Sequence, residues 1–141
     1  MIDALFLSPP RRYDGSQYLF NNATLQLASY LIQRGQSARI EPLFGSNWRE
    51  RIDRAIETYQ PRWVAVSCKW WDTVYGAVQV AEHVRRHHPE VRLVTGGQTA
   101  SSFAHAIIEK TPFDAVITGD AELPLLQLVQ GEPSCNAFLR D

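Results

Sequence analysis

Residues 62–97 read RWVAVSCKWWDTVYGAVQVAEHVRRHHPEVRLVTGG, and this stretch decides the fold. Apolar runs rich in valine predict one strand at 62–67 and another at 91–95. The residues between them have the length of one helical crossover, which is how neighbouring parallel strands are joined. Ser67 and Gly96 therefore follow two strands of one sheet and lie at the same carboxyl edge.

The rest of the chain repeats this alternation of apolar runs and amphipathic stretches, which is typical of a parallel sheet with helices on both faces. Strands are predicted at 2–8, 37–43, 62–67, 91–95 and 114–118. Helices are predicted at 22–34, 48–59, 73–88, 101–110 and 121–130. Ser101 or Ser102 is expected to cap the fourth helix. The sequence thus predicts an α/β domain with a five-stranded parallel sheet over 1–130, and a linker or cut end over 131–141.

Composition and charge are those of an ordinary globular domain. Of the 141 residues, 45% are hydrophobic and 21% are charged, which is sufficient for a packed core. The formal net charge of -1 gives no reason to expect nucleic acid as a partner. No stretch approaches the roughly 20 apolar residues that span a bilayer. Cys68 and Cys135 match neither a disulfide framework nor a metal motif, which indicates a reducing cytoplasm.

Ligands of open parallel sheets bind at the carboxyl edge, near the point where the strand order reverses. Gly96-Gly97 fits a close ligand contact and a plain turn equally well. Gly119 and Glu122 offer the same choice, the second interpretation being a turn with an acid at the start of a helix. Ser67 either binds a ligand nitrogen or satisfies a local amide.

The residues after Ser67 are less usual at a sheet edge. Lys69 either extends to solvent or meets an anionic group. As neighbours at a strand-to-helix turn, Trp70 and Trp71 are expected to point in different directions, one packing on the sheet and the other lining the crevice. The alternative is that both close the hydrophobic core. Cys68 is expected to be a buried structural thiol.

The histidines are interpreted as exposed surface residues, because no complete set of metal ligands accompanies them. They are His83, His87, His88 and His105, all on predicted helices.

The order of these sites resembles the cobalamin-binding domain at the N-terminus of cobalamin-dependent radical S-adenosylmethionine enzymes. The residues that carry the resemblance are Ser8-Pro9-Pro10, Ala28 to Leu31 with Arg34-Gly35, Gly96-Gly97 and Gly119 to Glu122. The resemblance covers roughly 1–130 and implies a flavodoxin-like (Rossmann-like) fold. It also implies that Ser8, Pro9 and Pro10 join the residues above in binding the cofactor.

The first departure from the pattern concerns the cobalt ligand. The Asp-x-His-x-x-Gly motif of the wider cobalamin-binding fold is absent, and Lys69 replaces the leucine of its Ser-x-Leu signature. The resemblance therefore implies base-off cobalamin with no protein histidine on the metal. The nucleotide tail would lie beside Ser67 and Gly96-Gly97. The corrin would lie on the loops holding Pro9 to Tyr18 and Lys69 to Trp71, with Trp70 or Trp71 under the cobalt.

The second departure concerns activity, since the Cys-x-x-x-Cys-x-x-Cys cluster motif is absent and the chain is short for the barrel that carries it. The resemblance implies a cobalamin-binding module without activity of its own. Its parent would be a methyltransferase or related radical enzyme, with the iron-sulfur cluster and S-adenosylmethionine in a missing or partner domain.

Two alternatives on the same fold remain open. The first is a receiver-like or protein-interaction domain. A receiver would carry acidic residues at the strand ends where this chain has Ser8 and Ser67, which argues against it. A flavin-binding module would need a Ser/Thr-rich phosphate cradle in the first loop, which the sequence lacks.

Overall fold

The computed structural model describes residues 1–9, 22–43, 45–68 and 74–140. Within them the strands are β1 (Ile2–Leu7), β2 (Ala38–Glu41), β3 (Pro61–Ser67), β4 (Arg92–Gly96), β5 (Ala115–Ile117) and β6 (Ala137–Leu139). The helices are α1 (Asn22–Gln33), α2 (Trp48–Tyr59), α3 (Val74–His87), α4 (Gln98–Ser102), α5 (Ala104–Lys110) and α6 (Glu122–Val129). The prediction of a flavodoxin-like α/β fold is confirmed.

The strands form one sheet in the order β2-β1-β3-β4-β5-β6. Strands β1 to β5 pair in parallel, and β6 runs antiparallel to β5. The order reverses between β1 and β3, because the chain moves from β1 to one neighbour and returns to the other side. The carboxyl ends of these two strands therefore form the switch point at which such sheets bind ligands.

The described structure has six strands where the sequence predicted five. The additional strand, β6, comes from the tail that was interpreted as a linker or cut end. Its pairing with β5 is continued by hydrogen bonds from the Thr118 amide to the Asn136 carbonyl and from the Arg140 amide to the Asp114 carbonyl, both 2.8 Å long. A domain boundary at residue 130 stays a prediction.

One predicted helix is divided in two. The helix expected at 101–110 begins earlier, at Gln98, and is interrupted at Phe103, whose φ of -123° and ψ of 29° depart from helical values. Ser101 and Ser102 consequently lie inside α4, and the expectation that one of them caps the helix is wrong.

Two apolar clusters cover the two faces of the sheet. Alternate residues of a strand point to opposite faces. In β1, Leu5 and Leu7 pack with α2, α3, α4 and α5, whereas Ala4 and Phe6 pack with α1 and α6. The prediction of helices on both faces is confirmed.

A polar cluster joins α2 to the C-terminal half of α3. The carboxylate oxygen Oδ1 of Asp53 accepts hydrogen bonds from Nε2 of His83 at 2.8 Å and Nε2 of His88 at 2.7 Å. The two histidine side chains are only 9% and 11% exposed. The interpretation of these two as exposed surface residues is therefore wrong. Because Asp53 lies on another helix, no local spacing predicts the cluster.

The Asp53 cluster predicts a pH-dependent contribution to stability. Burial raises the pKa of Asp53, but the hydrogen bonds from His88 and His83 and their charges outweigh burial and leave that pKa below the usual 3.8. A lowered folded-state pKa stabilises the fold above the unfolded-state pKa, and this stability is lost as the pH falls through the folded-state value. We expect Asp53→Asn to reduce the free energy of unfolding by about 1 kcal/mol near pH 7, since water screens a carboxylate that is 35% exposed.

Below about pH 4 the difference between the two proteins should shrink toward zero. Urea unfolding of both proteins from about pH 7 to about pH 3 measures it. A difference that stays constant over this range would contradict the assignment.

The packing of β4 predicts a contrast between two leucines. Leu93 is fully buried in the cluster on the α3 side, whereas Leu25 on α1 is 44% exposed. We expect Leu93→Ala to reduce the free energy of unfolding by about 2–5 kcal/mol, because it leaves a cavity. The control Leu25→Ala should change it by less than about 0.5 kcal/mol. Equal losses in urea unfolding would show that the cluster does not carry the fold.

Candidate functional site

A cavity of about 270 Å³ opens at the carboxyl edge, between the sheet and the helices α1 and α6. Its floor includes strand residues that point to this face, namely Phe6, Ala65, Ser67, Val94, Gly96 and Ile117. Its walls are the first turns of α1, with Thr24 and Leu27, and the turn from Gly119 into α6. The cavity thus spans the ends of β1, β3, β4 and β5, beside the switch point.

Small side chains at the strand ends keep the floor open. Ser67 of β3 pairs with Gly96 of β4, and Gly96 pairs with Ile117 of β5. Paired residues of parallel strands point to the same face, so these three form one row across the sheet. The hydroxymethyl group of Ser67 and the missing side chain of Gly96 leave the middle of that row unfilled.

The two adjacent glycines have different physical roles. Gly97 has φ 119° and ψ 179°, a conformation that only glycine adopts readily, so the backbone requires glycine there whatever occupies the cavity. Gly96 has no such φ, and an added Cβ would lie 3.6 Å from Cβ and the carbonyl oxygen of Ile117, an ordinary contact. The protein itself would therefore accept a methyl group at Gly96, and the space above it is free for a ligand.

Ser8 brings a buried hydroxyl to the same edge. It directly follows Leu7, the last residue of β1, and it is not among the residues that line the cavity. The residue is 8% exposed, and its Oγ has no hydrogen-bond partner among the described residues. Buried polar atoms are nearly always paired. This hydroxyl can therefore bind a polar group of a ligand or of the segment 10–21, which lies outside the described residues.

The electrostatics of the cavity do not favour an anion. Among the described lining residues, only Asp120 and Glu122 carry charge, and both are acids. No group of three or more His, Cys, Asp or Glu side chains within the described ranges is placed to hold a metal ion. The described part of the cavity therefore suits a neutral, largely apolar group with a few polar atoms.

Cys68 follows Ser67 but turns into the core. It is 2% exposed, and burial raises the pKa of its thiol to about 11, so it is a neutral thiol at physiological pH. Its amide donates to the Gly96 carbonyl at 2.8 Å, which extends the pairing of β3 with β4 beyond the last strand residue. The prediction of a buried structural thiol is confirmed.

The structure brings several predicted site residues together. Those that line the cavity are Ser67, Gly96, Gly97, Gly119 and Glu122. Ser8 and Pro9 follow β1 at the same edge of the sheet. The others, Pro10, Lys69, Trp70 and Trp71, lie outside the described residues.

Sequence reasoning missed the wall that α1 contributes. Thr24, Gln26 and Leu27 line the cavity, but which side of an amphipathic helix meets a ligand depends on how it packs. The short side chains of Thr24 and Ala28, about one helical turn apart and both buried, are the available signal that α1 lies close to its neighbours.

Comparison with known proteins points to one cofactor. The sequence profile of a protein family described as the B12 binding domain matches residues 17–129, which is most of the chain. None of the curated proteins matches the chain.

Within the described ranges, no helix has both the length and the apolar character needed to cross a membrane.

The solved structures with a similar fold include two cobalamin-containing enzymes. One is the radical S-adenosylmethionine methyltransferase TsrM from Kitasatospora setae with cobalamin and a 4Fe-4S cluster bound, at a TM-score of 0.79 and 19% identity over 94% of this chain. The other is the cobalamin-dependent S-adenosylmethionine radical enzyme OxsB with aqua-cobalamin and S-adenosylmethionine bound, at a TM-score of 0.67 and 13% identity over 94% of this chain. This chain spans 26% of the TsrM chain and 19% of the OxsB chain.

The two glycines predict opposite stability effects of the same substitution. We expect Gly97→Ala to reduce the free energy of unfolding by roughly 1–3 kcal/mol, because its backbone conformation is strained for any side chain. Gly96→Ala should stay within about 1 kcal/mol of the unsubstituted protein, since the methyl group meets only ordinary contacts. Thermal unfolding compares the two. A loss at Gly96 as large as that at Gly97 would show that the fold requires both.

Proposed function

Because the chain belongs to the B12-binding domain family, we propose that it is the cobalamin-binding module of a radical S-adenosylmethionine enzyme, a methyltransferase or a related one. The cobalamin is bound base-off, without a protein histidine on cobalt. The observation that carries this proposal is the cavity at the switch point, whose floor is open over Ser67 and Gly96.

The size of the cavity supports a role in holding the nucleotide tail of cobalamin. Its volume of about 270 Å³ lies just below the roughly 300–1,000 Å³ of pockets for drug-sized ligands. It therefore suits the neutral base of the tail and not the much larger corrin ring. The apolar strand residues would contact the faces of the tail's base, while the hydroxyl of Ser67 would meet one of its polar atoms.

The corrin would then lie outside the cavity, at the carboxyl edge. We propose the loops Pro9 to Tyr18 and Lys69 to Trp71 as its seat, with Trp70 or Trp71 beneath the cobalt. These segments follow β1 and β3, the two strands of the switch point. Ser8, whose hydroxyl has no hydrogen-bond partner among the described residues, stands at the start of the first. When bound, cobalamin supplies the reactive cobalt centre; the protein's part is to bind and orient it.

The positions of the histidines support binding without a histidine ligand. None of the four lines the described part of the cavity. His83 and His88 bind Asp53 on the far face of the sheet, and the ring of His87 packs against that of His83 at a tilt of 44°, with centroids 4.5 Å apart. His105 packs against Phe138 of β6.

The binding prediction uses Gly96 as its probe. Unsubstituted protein mixed with hydroxocobalamin should co-elute with a corrin spectrum. Gly96→Ala should weaken binding at least tenfold, about 1.4 kcal/mol, because the new methyl group occupies the floor of the cavity. Spectral titration measures both affinities.

Gly35→Ala is the matched control for this titration. Gly35 has φ 85° and follows α1 at the opposite edge of the sheet, so the substitution strains the fold without reaching the cavity. Its affinity should equal that of the unsubstituted protein. Absence of binding by the unsubstituted protein would favour the receiver-like or protein-interaction alternative. Unchanged affinity of Gly96→Ala would show that the ligand does not contact this part of the cavity floor.

The ligation prediction concerns the Co(II) form of the complex. Electron paramagnetic resonance should show no nitrogen splitting from a protein imidazole. Protein in which only histidine carries ¹⁵N should give the same spectrum as unlabelled protein, because the cofactor's own nitrogens do not change. A spectrum altered by the label would overturn the assignment.

A further inference from the structure

Ser101 connects the two loops that line the cavity, although it does not line the cavity itself. Its hydroxyl hydrogen is donated to the carbonyl of Gly97 at 2.9 Å. The same oxygen accepts a hydrogen bond from the amide of Gly119 at 3.0 Å. One side chain thereby joins the β4–α4 loop to the β5–α6 turn, 18 residues away in sequence.

The bond to Gly97 holds a peptide in an unusual conformation. The Gly97 carbonyl also accepts the amide of Ser101 at 2.9 Å, so both donors of Ser101 bind one oxygen. Gly97 has φ 119° and Gly119 has φ 72°. Glycines in such conformations have few restraints of their own, and the shared hydroxyl supplies one to each.

Resting on the proposed function, we propose that Ser101 is a positioning residue for cobalamin binding. It keeps the Gly96-Gly97 backbone and the turn from Gly119 to Glu122 at a constant separation, so the cavity between them is formed before the ligand arrives. Without the hydroxyl, the loops would have to be ordered upon binding, which reduces affinity.

The Gly119 amide is in an exposed setting, so water can replace the Ser101 hydroxyl in its absence. Removing the hydroxyl should therefore affect the fold little and the ligand more. This separates a positioning role from a structural role in α4.

Ser102 provides a matched control in the same helix. Its hydroxyl donates to the Gln98 carbonyl at 3.3 Å, the same spacing of four residues that Ser101 has with Gly97. Replacement of either serine by alanine changes helix propensity equally. Of the two, Ser101 alone accepts the hydrogen bond from the Gly119 amide in the described structure.

The experiment is spectral titration of the full chain with hydroxocobalamin, for the unsubstituted protein and for Ser101→Ala, Ser101→Thr and Ser102→Ala. We expect Ser101→Ala to bind about three- to tenfold more weakly, as for one lost neutral hydrogen bond. Ser102→Ala should bind normally, and Ser101→Thr should recover affinity because threonine retains a hydroxyl that reaches the fourth preceding carbonyl. In the free proteins, the Gly119 amide should exchange with solvent faster in Ser101→Ala alone.

The outcomes separate this inference from the function on which it rests. If the unsubstituted protein binds no cobalamin, the proposed function fails and the positioning role fails with it. If the unsubstituted protein binds and Ser101→Ala binds equally well, only the positioning role is overturned. Equal weakening by Ser101→Ala and Ser102→Ala would likewise overturn it, because the cause would then be the helix and not the bond to Gly119.

Discussion

Parallel pairing of β1, β3, β4 and β5 aligns the carboxyl ends of four strands, and the geometry of the cavity depends on that alignment. In a parallel ladder, residues of equal register point to the same face. The pairing of Ser67 with Gly96 and of Gly96 with Ile117 therefore sets small groups in one row. If the register slipped by one residue, the valines and leucines of the opposite face would fill this space.

The opposite face of the sheet provides the rigid support that an open cavity needs. Large side chains of β3 and β4 are fully buried there against α2, α3 and α5, including Val64 and Leu93. The Asp53 cluster ties α2 to α3 on the same side. Side chains thus fill the face covered by α2, α3 and α5, whereas the face covered by α1 and α6 keeps a cavity. A ligand can enter this cavity without deforming the sheet.

Neighbouring residues at the cavity have separate structural roles. Gly97 permits the turn, Gly96 leaves the space, and Ser101 connects that turn to Gly119. Such preorganisation favours binding, because fewer groups have to be ordered when a ligand arrives.

The sequence by itself determined the alternation of strands and helices, the parallel sheet, and the position of Ser67 and Gly96 at its carboxyl edge. These follow from local patterns, since a valine-rich run or a glycine after a strand acts within a few residues. The tertiary structure alone decided the pairing of β6, the break at Phe103, the contacts of Asp53 with two histidines, and the bond from Ser101 to Gly119. A strand of three residues has no readable period, and those contacts join residues on different elements, so only packing brings them together.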